Sequence, residues 1–242
     1  MAPILKLDRL TKNFAGLAAL KDVSFQVEER GIFGLIGPNG AGKTTLLSII
    51  AGSLQPTSGT ITFQGRDITG MRSFHAVHAG IARTHQVPKP FSALSVLENV
   101  EIALRFGRSE RSAAHTHDAK QILERVGIAR LYLQRAASLS VGDLKRLELA
   151  RVLAARPSLL LCDEVCSGLT EPETASILAL LCDIRRAGTS ILYVEHNLRA
   201  IMSVCDHIIV MNYGEKLAEG LPQAMQNDSS VIEAYIGKTA SI

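Results

Sequence analysis

The chain has 242 residues, 47% of them hydrophobic and 20% charged, and it is long enough for one α/β domain with a sizeable core or for a domain with an insertion. Its net charge of +3, its few aromatic residues and the lack of a basic stripe interleaved with rings exclude nucleic acid as an expected partner. Because no stretch reaches the ~18 apolar residues that span a bilayer, and the first residues lack the pattern of a secretory signal, we expect a cytoplasmic protein.

The N-terminal part of the chain is predicted to be mostly strand. Residues 5–10 and 23–27 alternate between apolar and polar residues, and 60–63 repeat this period of two, which is typical of half-buried strands. Residues 31–36 are a short apolar run instead, which indicates a buried strand.

The next segment carries a phosphate-binding motif. The run GPNGAGKTT at 37–45 fits the pattern G-x-x-x-x-G-K-[ST]. Its glycines allow unusual backbone conformations, so that successive N–H groups point into one concavity that suits an anion. The helix predicted over 44–50 directs its positive end at the same point. Lys43 would reach the β- and γ-phosphates, and the Thr44 hydroxyl can bind Mg²⁺. The candidate nucleotide-binding residues here are Gly37, Asn39, Gly40, Ala41, Gly42, Lys43, Thr44 and Thr45.

The middle of the chain changes to a helical pattern. Apolar residues recur at helix spacing from residue 95 to about 135, and a second helix is predicted from about 112 to 126. We expect residues 91–139 to form a helical subdomain, with the signature region described below at its end, inserted into an α/β core made of 1–90 and 140–242.

After this insertion, predicted helices and strands alternate. A helix over 143–155 precedes the near-continuous apolar strand 158–163, and further strands are predicted at 190–194 and 207–211. Thr170 and Glu173 form a capping-box pattern at the start of the helix that is predicted between the strands 158–163 and 190–194. Strands that alternate with helices predict a mostly parallel, doubly wound sheet.

Two acidic residues, Asp163 and Glu164, close the apolar strand. Ligands of parallel α/β sheets bind beyond the carboxyl ends of the strands. Asp163 can therefore hold Mg²⁺, directly or through water, and Glu164 can polarise an attacking water. The alternative is a charged turn at the end of a strand, and the phosphate-binding loop upstream favours the functional interpretation.

Together these features resemble the ATPase subunits of ABC transporters over essentially the whole chain. Residues 139–146, LSVGDLKR, stand where that family has its signature motif, and Gln86 and His196 are similar to its Q-loop glutamine and switch histidine. Residues 168–170 match the D-loop position, and Phe14 falls where the family stacks a ring on adenine. The resemblance implies an α/β P-loop (RecA-like) fold with a mostly parallel core sheet, an N-terminal antiparallel β subdomain and an inserted helical subdomain.

The resemblance also implies roles for individual residues toward ATP and Mg²⁺. Ser140 and Gly142 would donate to a γ-phosphate, His196 would contact it, and Gln86 would contact Mg²⁺. The candidate catalytic residues are Glu164, His196, Gln86 and Lys43, the candidate metal ligands are Thr44, Gln86 and Asp163, and the further ATP-binding candidates are Phe14, Ser140 and Gly142.

Each of these residues also has a plainer interpretation. Ser140 precedes a predicted helix and can be an ordinary N-cap. Gln86 can be a polar turn residue, His196 a surface loop histidine, and Phe14 a core residue.

The sequence departs from the family pattern at five positions. The residues are His85 before the Q-loop glutamine, Val141 and Asp143 in the signature, Val165 after the acidic pair, and Thr170 in the D-loop. Thr170 in particular could weaken communication across a dimer.

The finer pattern is similar to importers of branched-chain amino acids and of related polar solutes such as amides and urea. It is carried by 11–20, 80–86, 95–100 and the C-terminal 218–237. The resemblance implies two transmembrane permease subunits, a second, related or identical ATPase in a head-to-tail dimer, and a periplasmic or extracellular solute-binding protein. The chain would then lie on the cytoplasmic face of the inner (plasma) membrane. The alternatives are a lipopolysaccharide-export ATPase and an ABC ATPase module without a transporter.

Overall fold

The secondary structure forms two sheets with helices around them. The computed structural model describes residues 3–107 and 115–236. The strands are β1 (Leu5–Phe14), β2 (Leu17–Val27), β3 (Ile32–Ile36), β4 (Ser58–Phe63), β5 (Arg66–Asp67), β6 (Ile81–Arg83), β7 (Leu159–Asp163), β8 (Ser190–Val194), β9 (His207–Asn212) and β10 (Glu215–Gly220). The helices are α1 (Lys43–Ile50), α2 (Ser73–Ala79), α3 (Val96–Phe106), α4 (His115–Arg125), α5 (Val141–Ala154), α6 (Glu171–Arg186), α7 (Leu198–Val204), α8 (Pro222–Gln226) and α9 (Ser229–Ile236). In these ranges no helix combines the length and the hydropathy that crossing a membrane requires.

The N-terminal strands form an antiparallel sheet in the order β2-β1-β4-β5. The strands predicted at 5–10, 23–27 and 60–63 are confirmed, and all of them are longer than predicted. β1 extends beyond the segment whose residues alternate between apolar and polar. Its pairing with β2 shifts register between Leu7 and Leu10. A shift of this kind inserts residues that break the period of two.

The larger sheet has the order β10-β9-β3-β8-β7-β6. The strands from β9 to β6 are parallel, and β10 pairs with β9 as an antiparallel edge strand. Because β3, β8 and β7 are neighbours and parallel, the loops that follow all three begin at one edge of the sheet. That edge is where ligands of such sheets bind.

Apolar side chains on both faces of the parallel sheet form two cores. On β7, Leu159 and Leu161 pack against the antiparallel sheet and α1, whereas Leu160 and Cys162 pack toward the helices on the opposite face. A parallel strand covered on both faces must be apolar throughout, which explains the continuous apolar run of this segment.

The helices after β6 form a layer around α5. α3 and α4 both contact α5. The helix predicted over 143–155 begins earlier, at Val141, because Ser140 caps it by accepting a hydrogen bond from the Asp143 N–H. The predicted start of the second helix at about 112 lies outside the described residues, which resume at 115.

Several elements were not predicted from the sequence. β6 has only three residues, and β10 alternates between exposed and half-buried residues with little apolar content. α2 and α7 have seven residues each and α8 has five, too short for a clear helical period.

Candidate functional site

The phosphate-binding loop packs tightly between β2 and β9, and its glycines make this possible. Gly37 has φ +149°, and a Cβ there would lie 2.1 Å from the Met211 carbonyl oxygen. Gly42 has φ +95°, and a Cβ there would lie 2.6 Å from the Ala19 carbonyl oxygen. Any side chain at either position would collide with backbone, so the loop conformation requires glycine at both.

Lys43 lies across this loop. Its ammonium donates hydrogen bonds to the carbonyl oxygens of Gly37 (2.7 Å) and Pro38 (3.0 Å), and only 6% of the residue is exposed. Burial lowers the pKa of Lys43, and the nearby carboxylates of Glu164 and Asp163 partly oppose this shift. The cation therefore lies in the field of both acidic residues that close β7.

One cavity brings the loop together with two of the candidate catalytic residues from other strands. It has a volume of about 240 Å³ and is lined by Ala19, Asn39, Gly40, Ala41, Gly42, Lys43, Thr44, Thr45, Glu164 and His196. β3, β7 and β8 each deliver part of it at the same sheet edge.

Glu164, which lines this cavity, is the centre of a hydrogen-bonded group. One carboxylate oxygen lies 2.6 Å from Nε2 of His196, and the other accepts from Nε2 of Gln86 at 2.5 Å. With its proton on Nε2, the His196 ring donates to the carboxylate. Glu164 itself has φ +50°, in the left-handed region that non-glycine residues rarely adopt. The fold therefore holds Glu164 in an uncommon backbone conformation and fixes its carboxylate from two sides.

Asp163 is buried beside Glu164 and is paired with a cation. Its carboxylate accepts from Nη2 of Arg83 at 2.7 Å, and Arg83 also donates to the Ser48 hydroxyl at 2.8 Å. The Asp163 N–H donates to the Thr84 hydroxyl at 3.0 Å. Sequence analysis missed Arg83, although it lies close to the Q-loop glutamine, because an arginine near a turn is usually solvated.

The candidate metal ligands provide the donors that Mg²⁺ prefers. Thr44 offers a hydroxyl that lines the cavity, Gln86 an amide oxygen and Asp163 a carboxylate. Asp163 and Gln86 do not line the cavity themselves. The Asp163 carboxylate is paired with Arg83, and Gln86 donates to Glu164, which does line it. The three donor types are therefore those that Mg²⁺ takes, and Thr44 is the one that lines the cavity.

A further buried acid, Glu195, connects His196 to the segment after Glu164. Glu195 is 4% exposed, and its two carboxylate oxygens accept from the backbone N–H groups of Cys166 (2.8 Å) and His196 (3.2 Å). Burial raises the pKa of Glu195. The ends of β7 and β8 are thus joined by a side chain that sequence analysis did not single out.

The signature residues lie in a different place. Ser140 and Gly142 line a separate cavity of about 250 Å³ together with Arg130, Asp143, Arg146, Leu169, Glu173 and Ile177. The Ser140 hydroxyl donates to the Asp143 carboxylate at 2.8 Å. None of these residues lines the cavity at the phosphate-binding loop. Within one chain the structure does not bring the two sets together.

Phe14 also lies outside the phosphate-loop cavity. It is 45% exposed, and the Lys12 ammonium lies 5.0 Å from the centre of its ring. An exposed ring at the end of β1 is not a core residue, so the plainer interpretation of Phe14 is wrong. The ring is accessible to a ligand.

A larger cavity of about 450 Å³ lies on the other side of the same loop. Its lining combines Asn39 and Gly40 with Tyr213, Leu217 and Glu233 from the C-terminal region. Neither Lys43 nor Glu164 reaches it. The smaller cavity is therefore the one with the chemistry for a phosphate.

Comparison with known proteins identifies the family. The family model described as "ABC transporter" matches residues 20–167, which is more than half of the chain. This chain belongs to the ABC transporter family. The match includes the phosphate-binding loop, the signature motif and the acidic pair at the end of β7.

Curated members of this ABC family are similar to the chain over nearly its whole length. The branched-chain amino acid transport ATP-binding protein BraF of Pseudomonas aeruginosa is 36% identical and covers 98% of both chains. LivG of Escherichia coli, of the same description, is 34% identical with the same coverage. The lipopolysaccharide export ATP-binding protein LptB of Haemophilus influenzae is 31% identical over 97% of this chain and 98% of its own.

Solved structures of ABC cassettes share the fold, which confirms the predicted fold class. A nucleotide-free ATP-binding cassette of an ABC transporter matches with a TM-score of 0.91 at 30% identity, covering 98% of this chain and all of that one. A cassette described as dimeric, in a post-hydrolysis state with ADP and Pi, matches with a TM-score of 0.82 at 26% identity over 90% of this chain and 98% of its own.

Proposed function

We propose that this chain is the ATP-hydrolysing subunit of an ABC importer for branched-chain amino acids or related small polar solutes. The observation that carries the proposal is the cavity of about 240 Å³ in which the phosphate-binding loop meets Glu164 and His196. The similarity to BraF and LivG over nearly the whole chain supports the class of solute.

The residues of this cavity have distinct roles toward ATP. Backbone N–H groups of the loop and the Lys43 ammonium bind the phosphates, while Glu164 polarises the water that attacks the γ-phosphate. His196 orients the Glu164 carboxylate through their 2.6 Å contact. Mg²⁺ would be held by Thr44, Asp163 and Gln86, where it would neutralise phosphate charge.

Two chains are needed to complete each ATP site. Ser140 and Gly142 face a cavity of their own, away from the phosphate-binding loop of the same chain. In a head-to-tail dimer, each signature N-terminus would instead meet the γ-phosphate held by the other chain, where helix N–H groups and the helix dipole favour an anion. A dimeric cassette with bound ADP and Pi among the structural relatives supports this arrangement.

A groove between α5 and the β6 region is the proposed contact with the permease subunits. It has a volume of about 260 Å³ and is lined in part by Arg83, His85, Phe106, Glu148 and Arg151. Within the described ranges, the buried side-chain polar atoms that lack a hydrogen-bond partner are Nε of Arg83, Oε2 of Glu148 and Nε of Arg151. Those atoms are buried, so a docked partner would instead contact the exposed Phe106 ring and the charged side chains of the lining.

The adjoining residues 87–94 lead from Gln86 into the helical region, so docking here would act on the nucleotide site. We retain 91–139 as the proposed helical subdomain and 1–90 with 140–242 as the ATP-binding core. Docking on two permease subunits would hold the chain at the cytoplasmic face of the plasma membrane, and a solute-binding protein outside the membrane would deliver the solute.

Uptake measurements test the transport part of the proposal. A strain that lacks the gene should take up radiolabelled leucine or another small polar solute of this class more slowly. The wild-type gene should restore uptake, and the Glu164→Gln variant should not. Unchanged uptake together with altered lipopolysaccharide at the cell surface would favour the export function that the similarity to LptB suggests.

Crosslinking tests the docking part. Cysteine pairs between residues 87–94 and a cytoplasmic loop of the permease should form crosslinks whose yield depends on ATP. Crosslinks confined to the C-terminal helices α8 and α9 would contradict this assignment.

A further inference from the structure

Lys145 is a buried cation next to the site that none of the roles above uses. It lies on α5, about one and a half helical turns after Ser140, and is 3% exposed. Its ammonium donates hydrogen bonds to the backbone carbonyl oxygens of Gln86 (2.6 Å) and Glu164 (3.1 Å). A buried ammonium needs such partners, and here the partners belong to two residues whose side chains are themselves hydrogen bonded in the site.

The backbone of Glu164 depends on support of this kind. Its φ of +50° is uncommon for a residue with a side chain. Such conformations persist when the surrounding structure over-determines them. The Glu164 N–H donates to the Val194 carbonyl at 2.9 Å, and Lys145 holds the carbonyl oxygen. Lys145 therefore fixes the backbone of the residue that polarises the attacking water.

Lys145 is one of three α5 side chains that contact the Q-loop segment. Glu148 accepts from the His85 N–H at 2.6 Å, and Arg151 donates to the Lys89 carbonyl at 2.7 Å. Residues three apart form a continuous ridge on a helix, so α5 contacts this segment along one row. Of the three, Lys145 is the one whose hydrogen bonds reach Glu164.

We propose that Lys145 is a positioning residue through which each ATP site of the dimer controls the other. Ser140 caps α5 and, in the proposed dimer, faces the ATP held by the partner chain, whereas Glu164 acts on the ATP held by its own chain. When the partner's ATP binds at the N-terminus of α5, it shifts the helix. The hydrogen bonds of the Lys145 ammonium then move the carbonyls of Gln86 and Glu164 with it. This inference rests on the proposed head-to-tail ATPase dimer.

Steady-state kinetics of the full-length chain test this link. Lys145→Met keeps the length of the side chain and removes its donors, and kcat should fall about 10- to 100-fold, the scale expected from a small misplacement of catalytic groups. KM for ATP should stay within about threefold, because the phosphate-binding loop is untouched. The proposed link predicts a wild-type Hill coefficient for ATP above one, and Lys145→Met should lower it toward one, a change that a purely structural role would not produce.

Two further variants and one control keep the test decisive. Lys145→Arg retains cationic donors and should recover most of the rate and the cooperativity. If Lys145→Met does not fold, Lys145→Gln replaces it, and its kcat should lie clearly below that of wild type. Arg185→Met is the control, because Arg185 also donates to a backbone carbonyl, that of Arg30, and pairs with Asp206, and none of these residues lines the phosphate-loop cavity. It should keep both kcat and the Hill coefficient.

Results that would refute the role of Lys145 can be told apart from results that would refute the proposed ATPase dimer. A Lys145→Met variant with kcat within about twofold of wild type and an unchanged Hill coefficient would overturn the role of Lys145. The same holds if KM rises while kcat is kept, or if Lys145→Arg is as slow as Lys145→Met. A wild-type chain that hydrolyses no ATP, or that never dimerises with ATP, would instead refute the proposed function.

Discussion

The two halves of the proposed ATP site differ in how far one chain completes them. At the phosphate-binding loop, Lys43, Glu164 and His196 line one cavity, and the side chains are hydrogen bonded into place. At the signature motif, the Ser140 hydroxyl is hydrogen bonded to Asp143 at the start of its own helix. The first half is assembled by the fold of one chain, and in the proposed dimer the second half would contact the ATP of the partner chain.

In the proposed dimer, one sequence encodes an ATP site that no single copy contains. The parallel sheet places the loops after β3, β7 and β8 at one edge, so the first half follows from topology. α5 presents the second half elsewhere, yet Lys145 on the same helix reaches back to Glu164. Mutations in the two halves of the site should therefore affect ATP binding, turnover and dimerisation differently.

The largest expected effect is at Glu164 in the assembled half. Glu164→Gln keeps the shape and removes the base, and loss of a general base lowers rates by about 10²- to 10⁴-fold. ATP should still bind, so the variant should accumulate as an ATP-bound dimer, measured by light scattering. Glu29→Gln, at an exposed position before β3, is the control. Near-normal turnover by Glu164→Gln would refute the role of Glu164.

Lys43 should show the next largest effect, and it should depend on the phosphates. A charge-assisted hydrogen bond contributes about 1.5–3 kcal/mol, so Lys43→Ala should weaken ATP binding about 10- to 100-fold. Adenosine, which lacks phosphates, should bind almost as before. Calorimetric titration with both ligands distinguishes these outcomes, with the exposed Lys6→Ala as control. Equal losses for ATP and adenosine would mean that Lys43 supports the fold of the loop instead.

Features that depend on local sequence were predictable, and contacts between distant segments of the chain were not. The phosphate-binding loop was predictable because its motif encodes local backbone geometry, and the strands with a clear period or apolar run were predictable, unlike the short β6 and the mostly polar β10. The contacts of Arg83 with Asp163 and of Lys145 with Glu164 were not, since they join segments that only the tertiary fold brings together. In a sequence, a buried lysine or arginine looks the same as a solvated one.

Substitution of Phe14 tests whether its ring contributes to adenine binding in the half of the site that contains the phosphate-binding loop. Ring stacking contributes about 0.5–1.5 kcal/mol, so Phe14→Ala should weaken ATP and adenosine alike by about two- to tenfold. The ring is 45% exposed, so the fold should lose little stability. Phe74→Ala, at an exposed ring on α2, is the matched control. Unchanged adenosine affinity in Phe14→Ala would remove Phe14 from the site.

The smallest predicted effect lies in the signature half, at Asp143. Its carboxylate accepts from the Ser140 hydroxyl and places negative charge near the position of the partner's triphosphate. Repulsion between unit charges ~10 Å apart is about 1 kcal/mol or less at an effective dielectric of ~40. Asp143→Asn should therefore tighten ATP-driven dimerisation several-fold, measured by sedimentation in a Glu164→Gln background. The control is Asp8→Asn on β1, and weaker dimerisation by Asp143→Asn would contradict the charge argument.

The most direct test of the shared site is a crosslink between its two halves. A chain carrying both Asn39→Cys in the phosphate-binding loop and Ser140→Cys at the signature, with Cys182→Ser to remove a partly exposed thiol, is treated with a short bifunctional thiol reagent. With ATP in the Glu164→Gln background, the account predicts a covalent dimer that neither single-cysteine chain forms. A crosslink within one chain, or a dimer yield that ATP does not change, would contradict it.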